Sequence, residues 1–520
     1  MERNEKFKHH ISEGYTFKGD SITMGSAILD GHPQPGSLVQ IPLKTLNRHG
    51  LIAGATGTGK TVTLQIIAEN MAAKGIPVLM MDLKGDLSGV AAAGAVNPKI
   101  EERHGLIGIP FEPASCTIEL LSLSSEKGVR LRATVSEFGP VLFTKILELN
   151  DTQGGIVAIL FKYADDNNLP LLDLKDFKRL LQFSTDEGKE AIEKQYGKVS
   201  EASVATILRK IIELETQGAE KFFGEKSFEV SDLVRHDAQG KGIISIVRLT
   251  DIQDKPKLFS TFMLQMLAEI YQSFPEAGDL EKPKLCVFID EAHLIFNEAS
   301  KALLSQIESI IKLIRSKGIG IYFCTQNPYD IPDSVLAQLG LKVQHALRAF
   351  TEKDRKAINK TAENYPISEF YKTSELLTSI GIGQALITAL NEKGIPTPLA
   401  ATHLRAPKSR MGILSDEEIN SVINASMLVT KYNQEVDRES AYEILEAKLN
   451  NAKVETVEEE IEVVEKPAKK AKEEPSFIER ASKNTMVRQV GNTVMRELAR
   501  GILGVLGLGG KTTKKKSGFF

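Results

Sequence analysis

The segment Gly54-Ala55-Thr56-Gly57-Thr58-Gly59-Lys60-Thr61 carries the spacing G-x-x-x-x-G-K-[ST]. An apolar run, Leu51-Ile52-Ala53, precedes it, and an amphipathic stretch over 62–72 follows, so the pattern stands between a strand and a helix. Glycines there let backbone N–H groups wrap around phosphate oxygens, and the helix adds the positive end of its dipole. Lys60 is placed to reach the β- and γ-phosphates of a nucleotide, and the Thr61 hydroxyl to ligate Mg²⁺. Expected nucleotide contacts run through Gly54, Ala55, Thr56, Gly57, Thr58, Gly59, Lys60, Thr61 and Val62. The competing reading is a glycine-rich turn that binds nothing; the strand before and the helix after argue against it.

A second chemical element is Leu285-Cys286-Val287-Phe288-Ile289-Asp290-Glu291, a buried-strand pattern ending in two carboxylates. Asp290 suits a magnesium site, directly or through water, and Glu291 suits the orientation and polarisation of an attacking water. Such a strand alone is a weak signal; beside the phosphate-loop pattern it is a strong one. Gln326 ends the apolar run 319–324. Its amide reads as a sensor near a γ-phosphate, or as a strand-ending cap of the turn into Pro328. Arg315 lies late in the helix before that strand, and Arg348 and Arg355 follow it. Each reads as a cation that neutralises transition-state charge in a neighbouring subunit or as one that complements a helix dipole. Asp290-Glu291-Ala292-His293 spells a DEAH box, which suggests a two-lobed helicase. No Ser-Ala-Thr and no Gln-x-x-Gly-Arg-x-Gly-Arg pattern follows, and too little chain remains after about 405 for a second lobe, so His293 reads as a turn residue.

The elements that must hold these groups alternate. Strands are expected at 51–53, 77–82, 242–247, 285–289, 319–324, 343–347, 384–388 and 399–404, with helices between them, among them 257–274. That alternation predicts an α/β fold with a mostly parallel, doubly wound sheet. The run ending at Asp82 leads into Leu83-Lys84-Gly85-Asp86, a polar turn at the sheet edge that carries the phosphate loop and where ligands of open α/β sheets bind. Lys84 and the insertion supply candidate cations for a nucleic-acid channel. Residues 132–238 have helical periodicity (Ile156, Ile159, Leu160, Tyr163; Phe177, Leu180, Leu181) and read as an inserted helical subdomain.

The expected division begins with a short N-terminal segment (1–45) supplying a few strands. The nucleotide-binding core follows in two stretches, 46–131 and 239–406, on either side of the insertion (132–238). A helical C-terminal extension (407–450) comes next, with a helical stretch over about 416–450. A charged linker (451–475), an amphipathic tail helix (476–508) and a basic tail (509–520) complete the chain. The tail helix gathers Val487, Val490, Val494, Leu498, Ile502 and Val505 on one face, with Arg488, Arg496 and Arg500 beside it. That face can pack on the protein's own core, recruit a protein partner or lie on anionic lipid.

Over 520 residues the formal net charge is −3, which excludes a globally basic nucleic-acid binder but not a local basic channel. Cys116, Cys286 and Cys324 are far apart and form neither a disulfide framework nor a C-x-x-C metal spacing, which fits a reducing, cytoplasmic setting. The start, Met-Glu-Arg-Asn-Glu-Lys, lacks a signal-peptide core, and no transmembrane segment is expected.

The set Gly54–Thr61, Asp82-Leu83-Lys84-Gly85-Asp86, Asp290-Glu291-Ala292-His293, Thr325-Gln326-Asn327-Pro328 and Gln344-His345-Ala346-Leu347-Arg348-Ala349-Phe350-Thr351 resembles the HerA/FtsK superfamily of P-loop ATPases, and more closely the bacterial HerA-like YjgR family. The resemblance covers about 19–406. It implies a RecA-like core, a homo-hexameric ring, and ATP and Mg²⁺ at subunit interfaces. Lys60 and Thr61 would bind nucleotide, Asp290 the magnesium, Glu291 the water and Gln326 the γ-phosphate, with Arg315 acting in trans. It further implies movement along DNA or unwinding of it, as a translocase or helicase; the alternative is an ATPase switch or scaffold that recruits a partner or membrane through its tail. About 50 residues precede the phosphate loop, too few for the β-barrel that docks a nuclease on HerA, so a nuclease partner is not expected.

Overall fold

The computed structural model describes residues 3–448 and 450, apart from 279, 299, 300, 350, 435 and 437. The linker, tail helix and basic tail expected over 451–520 lie outside the described residues. The strands are β1 (Ser21–Leu29), β2 (His32–Pro42), β3 (Gly50–Ala53), β4 (Val78–Asp82), β5 (Ile118–Ser122) and β6 (Val129–Arg130), then β7 (Ile244–Arg248), β8 (Leu285–Ile289), β9 (Ile319–Thr325), β10 (Leu341–Gln344), β11 (Gln384–Thr388) and β12 (Ala400–Leu404). All lie in one sheet, in the order β2-β1-β12-β11-β10-β3-β9-β8-β4-β7-β5-β6.

From β10 to β6 every neighbouring pair is parallel, and from β10 outward through β11, β12, β1 and β2 every pair is antiparallel. The fold is therefore α/β with a mostly parallel sheet, as the alternation of patterns predicts. β3, β4, β8 and β9 are buried along their whole length, as parallel strands covered on both faces must be. Phe288 of β8 stacks on Tyr322 of β9 with centroids 4.7 Å apart, and the Tyr322 hydroxyl donates to Leu46 O at 2.6 Å.

Residues up to Tyr442 form one compact unit. Within it α1 (Arg3–Tyr15) buries Phe7, Ile11 and Tyr15, and the Tyr15 hydroxyl donates to Ile387 O (3.0 Å) and Pro398 O (2.6 Å). The strands expected among the first residues are the β1–β2 hairpin, which joins the sheet through β12. α2 (Lys60–Ala73) follows the glycine loop, and α3 (Pro98–Ile107) precedes β5. Five helices occupy the insertion between β6 and β7: α4 (Val135–Ile146), α5 (Asp151–Asp166), α6 (Leu174–Thr185), α7 (Lys189–Tyr196) and α8 (Glu201–Thr216). Phe143, Phe161 and Phe177 join α4, α5 and α6 in an aromatic cluster with centroids 4.9 to 5.9 Å apart. α9 (Pro256–Ser273) leads to β8, and α10 (His293–Glu298) and α11 (Lys301–Ile314) lead to β9.

Three local readings need correction. The strand expected at 343–347 ends at Gln344, because the chain then folds over the glycine loop: Ala346 O accepts from Ala55 N at 2.9 Å, and Leu347 N donates to Leu377 O at 2.7 Å. The helical stretch expected over about 416–450 is divided at Ser426. It is extended there (φ −78°, ψ 123°), ends Asp416–Ala425 and caps Met427–Tyr432 by accepting from Leu428 N. β5 and β6 escape the expected strand set: β5 carries Glu119, a buried carboxylate ion-paired with Arg235, which breaks its apolar pattern.

Candidate functional site

The carboxyl ends of β3, β4, β8 and β9 lie side by side at one edge of the sheet, and each ends in or leads directly into a residue already singled out. The loop after β3 is tied to both neighbours: Gly54 N donates to Thr325 O of β9, and Ala55 N to Ala346 O beyond β10. Gly54 must be glycine, since its φ is +155° and a Cβ would stand 2.5 Å from His345 Cβ. Gly57 (φ +79°) faces open space, and Gly59 (φ +110°) precedes α2 with no side-chain cap. The first N–H groups of α2 are thereby left to an anion. Lys60 Nζ donates to Ala55 O at 3.2 Å, curling back over the loop, and Thr58 Oγ1 donates to the same carbonyl at 2.7 Å. Val62 sits in the first turn of α2, partly buried against the core, and Thr56 is exposed on the loop.

Opposite the loop stand the acids. Asp290 and Glu291 follow β8 directly, and both are buried. Glu291 adopts φ +47°, a left-handed backbone that costs a non-glycine residue on the order of 1–3 kcal/mol and that clusters at functional sites. Its carboxylate is ion-paired with Lys84 through Oε1, and Oε2 lies 3.2 Å from His293 Nδ1. His293, the last letter of the apparent DEAH box, is the first residue of α10. Burial raises the Asp290 carboxyl above its ordinary range, against the attraction of Lys84. Burial likewise lowers the Lys60 ammonium, which feels Lys84 as a repulsion and Glu291 and Asp290 as attractions. These mutual influences put lysine and both acids in one electrostatic neighbourhood.

The turn after β4 completes that neighbourhood. Asp82 accepts from Gly85 N (2.7 Å), Asp86 N (3.2 Å) and Leu87 N (3.2 Å), folding the turn around its own carboxylate. Burial pushes Asp82 up to about 7 against those amides, with Asp86 and Asp290 adding to the push. Asp86 is raised by burial too, while Lys84 and the Thr61 hydroxyl pull it down. Lys84, exposed along part of its side chain, thus pairs with Glu291. Asp86 is the site residue that sequence reasoning left without a role; its signal was the polar turn closing a buried strand at the phosphate-loop edge.

The donor set fits a hard cation shared with a phosphate. Asp290 Oδ2 and Asp86 Oδ1 are buried and make no hydrogen bond among the described residues, and the Thr61 hydroxyl is beside Asp86. Among the described residues no group of three or more His, Cys, Asp or Glu could hold a metal by itself, so the cation needs oxygens from its ligand or water. Gln326, exposed, follows β9 at the same edge. Arg315 is elsewhere: it opens the turn Arg315–Lys317 before β9, at the opposite edge, near enough to His49 to influence its charge. Within one chain the structure joins Lys60, Thr61, Asp290, Glu291 and Gln326 at one edge and places Arg315 at the opposite one. Arg348 and Arg355 are exposed.

Known proteins resemble this chain in sequence and fold. It is 22% identical over 368 residues to the DNA double-strand break repair helicase HerA of Sulfolobus acidocaldarius, covering 69% of this chain and 66% of that protein. A 185-residue stretch is 29% identical to the probable helicase MJECL08 of Methanocaldococcus jannaschii, covering 34% of this chain and 32% of that one. The chain thus spans just under two thirds of the length of the HerA relative. Among solved structures, the bacterial conjugative coupling protein TrwBdeltaN70 superposes with a TM-score of 0.50 at 14% identity, covering 78% of this chain and 95% of that one. The family model described as "Helicase HerA-like C-terminal" matches residues 28–513, and the chain belongs to that family.

Proposed function

We propose that the protein hydrolyses ATP with Mg²⁺ and uses the cycle to move along or unwind DNA. One observation supports this above the rest: Lys60, which opens α2 behind β3, and Asp290 and Glu291, which follow β8, stand at one sheet edge with only β9 between their strands, and both acids attract the lysine. The N–H groups at the tip of the glycine loop and in the first turn of α2 would cradle the phosphates, and Lys60 would leave Ala55 O for them. Bound Mg²⁺ would supply charge neutralisation between the phosphates. Thr61 and Asp290 would hold that ion, with Asp86 beside them. Glu291 would take the proton of the attacking water, Gln326 would bond the γ-phosphate or that water, and Val62 would face the nucleotide from α2.

The DNA reading draws on the names of the relatives, which are repair and probable helicases. With Arg315 at the far edge of the sheet from its own Glu291, the arrangement suits a homo-hexameric ring in which it would reach the next subunit's nucleotide. The free thiols of Cys116, Cys286 and Cys324 support a reducing, cytoplasmic setting. Among the described residues no helix is long and apolar enough to cross a membrane. The test is steady-state ATP turnover without DNA and with single- and double-stranded DNA at low salt, alongside mass measurement of the assembly. Turnover stimulated by DNA in a hexameric species is the expected result. Turnover indifferent to every DNA favours a nucleotide-driven switch or scaffold, and no turnover defeats the reading.

A further inference from the structure

The turn after β4 brings a cation against the buried glutamate at the tip of β8. Lys84 Nζ pairs with Glu291 Oε1; the lysine side chain is 41% exposed and the glutamate side chain 8%. The backbone that carries Lys84 is held on both sides. Asp82 binds the amides of Gly85, Asp86 and Leu87, and Gln253 Nε2 donates to Leu83 O. The other Glu291 oxygen, Oε2, is buried and makes no hydrogen bond among the described residues, although His293 Nδ1 is 3.2 Å away. A carboxylate gripped at one oxygen and without a hydrogen bond at the other is set to receive a proton at the second.

We propose that Lys84 is the positioning residue for Glu291: anchored through the Asp82 turn, it grips Oε1 so that Oε2 is presented to the attacking water. This rests on the role given to Glu291 above. The water would lose its proton to Oε2 as its oxygen bonds to the phosphorus, and the departing diphosphate would carry away the electron pair of the broken P–O bond. Lys84 exchanges no proton in this step; it fixes the rotamer of a side chain whose own backbone is left-handed. A lysine that bound the γ-phosphate directly would serve nucleotide affinity instead, and the test separates the two roles.

The experiment compares Lys84→Met, Lys84→Arg, Glu291→Gln and the Lys84→Met/Glu291→Gln double variant of the full chain. It measures ATP kcat and KM, calorimetric affinity for a non-hydrolysable ATP analogue with Mg²⁺, and thermal unfolding. Lys84→Met is expected to lower kcat on the order of 10²-fold and to leave KM and analogue affinity within about threefold. Lys84→Arg restores part of kcat, and the double variant is no slower than Glu291→Gln alone, because Lys84 acts only through that carboxylate. Losses that multiply, a kcat unmoved by Lys84→Met, or an analogue affinity about tenfold weaker when Lys84→Met is added to Glu291→Gln overturns the proposal. Wild-type protein without turnover overturns the ATPase reading itself, a result distinct from all of these.

Discussion

Lys60, which opens α2, and Glu291, which follows β8, stand at the same sheet edge, and in the proposed mechanism they divide binding from turnover. Lys60→Ala removes the cation that curls over the loop. Affinity for ATP is expected to fall at least tenfold, with turnover lost, as read by calorimetry and a phosphate-release assay. Glu291→Gln keeps the shape and leaves affinity intact while slowing hydrolysis about 10²–10³-fold; a normal steady-state rate contradicts its role. Both residues were legible because each lies within a short pattern whose spacing carries the chemistry. Lys84 was legible only as a charge near the edge. Its partner comes from the next strand tip and a distant stretch of the chain, and spacing holds no record of that meeting.

At the scale of elements, His49 shows how strands and helix are locked together. It sits just before β3, buried, with Nε2 donating to Ile311 O of α11 (2.9 Å) and Nδ1 accepting from Ile321 N of β9 (3.0 Å). Both ring nitrogens are committed to the neutral form. Burial, outweighing the Ile311 bond and aided by Arg315, lowers the imidazole from 6.5 to about 4. The sign follows from linkage: the folded state binds the proton more weakly than the unfolded chain. The stabilisation is complete above pH 6.5 and is lost as pH falls to and through about 4. Denaturant midpoints should drop across that window, by on the order of 3 kcal/mol from this group, and flatten in His49→Gln. Unchanged midpoints between pH 7 and 4.5 contradict this account. Strands such as β8 and β9 were legible as unbroken apolar runs. β6, two residues long, was not, since so short a segment takes its structure from β5 beside it. The break at Ser426 was equally hidden, because a serine in a helical pattern does not announce whether it continues the turn or caps the next one.

For the whole molecule, the separation of Arg315 from the acid pair makes assembly testable. If Arg315 serves a neighbour's nucleotide, Arg315→Ala protein is inactive alone and poisons mixed rings, so activity falls faster than the fraction of variant subunits. A linear decline points to action within one subunit or none. Any DNA bound by the protein is expected to be released steeply as salt rises, through displaced counterions, and filter binding between about 50 and 200 mM salt measures this.

The sheet also carries a consequence for how the chain acquires its shape. β3 is flanked by β9 and β10, β10 leans on β11 and β12, and β12 is the edge on which β1 docks. Glu69 of α2 then accepts the amides of Lys408 (2.7 Å) and Ser409 (3.0 Å). On the ribosome, the hairpin of residues 21–42 and the glycine loop emerge early and must wait for residue 409 before their neighbours exist. Loop closure over such distances makes folding slow and leaves sheet edges bare in nascent chains. Fragments ending before 400 should be captured by chaperones or aggregate, even though every residue of the proposed phosphate site is already present in them.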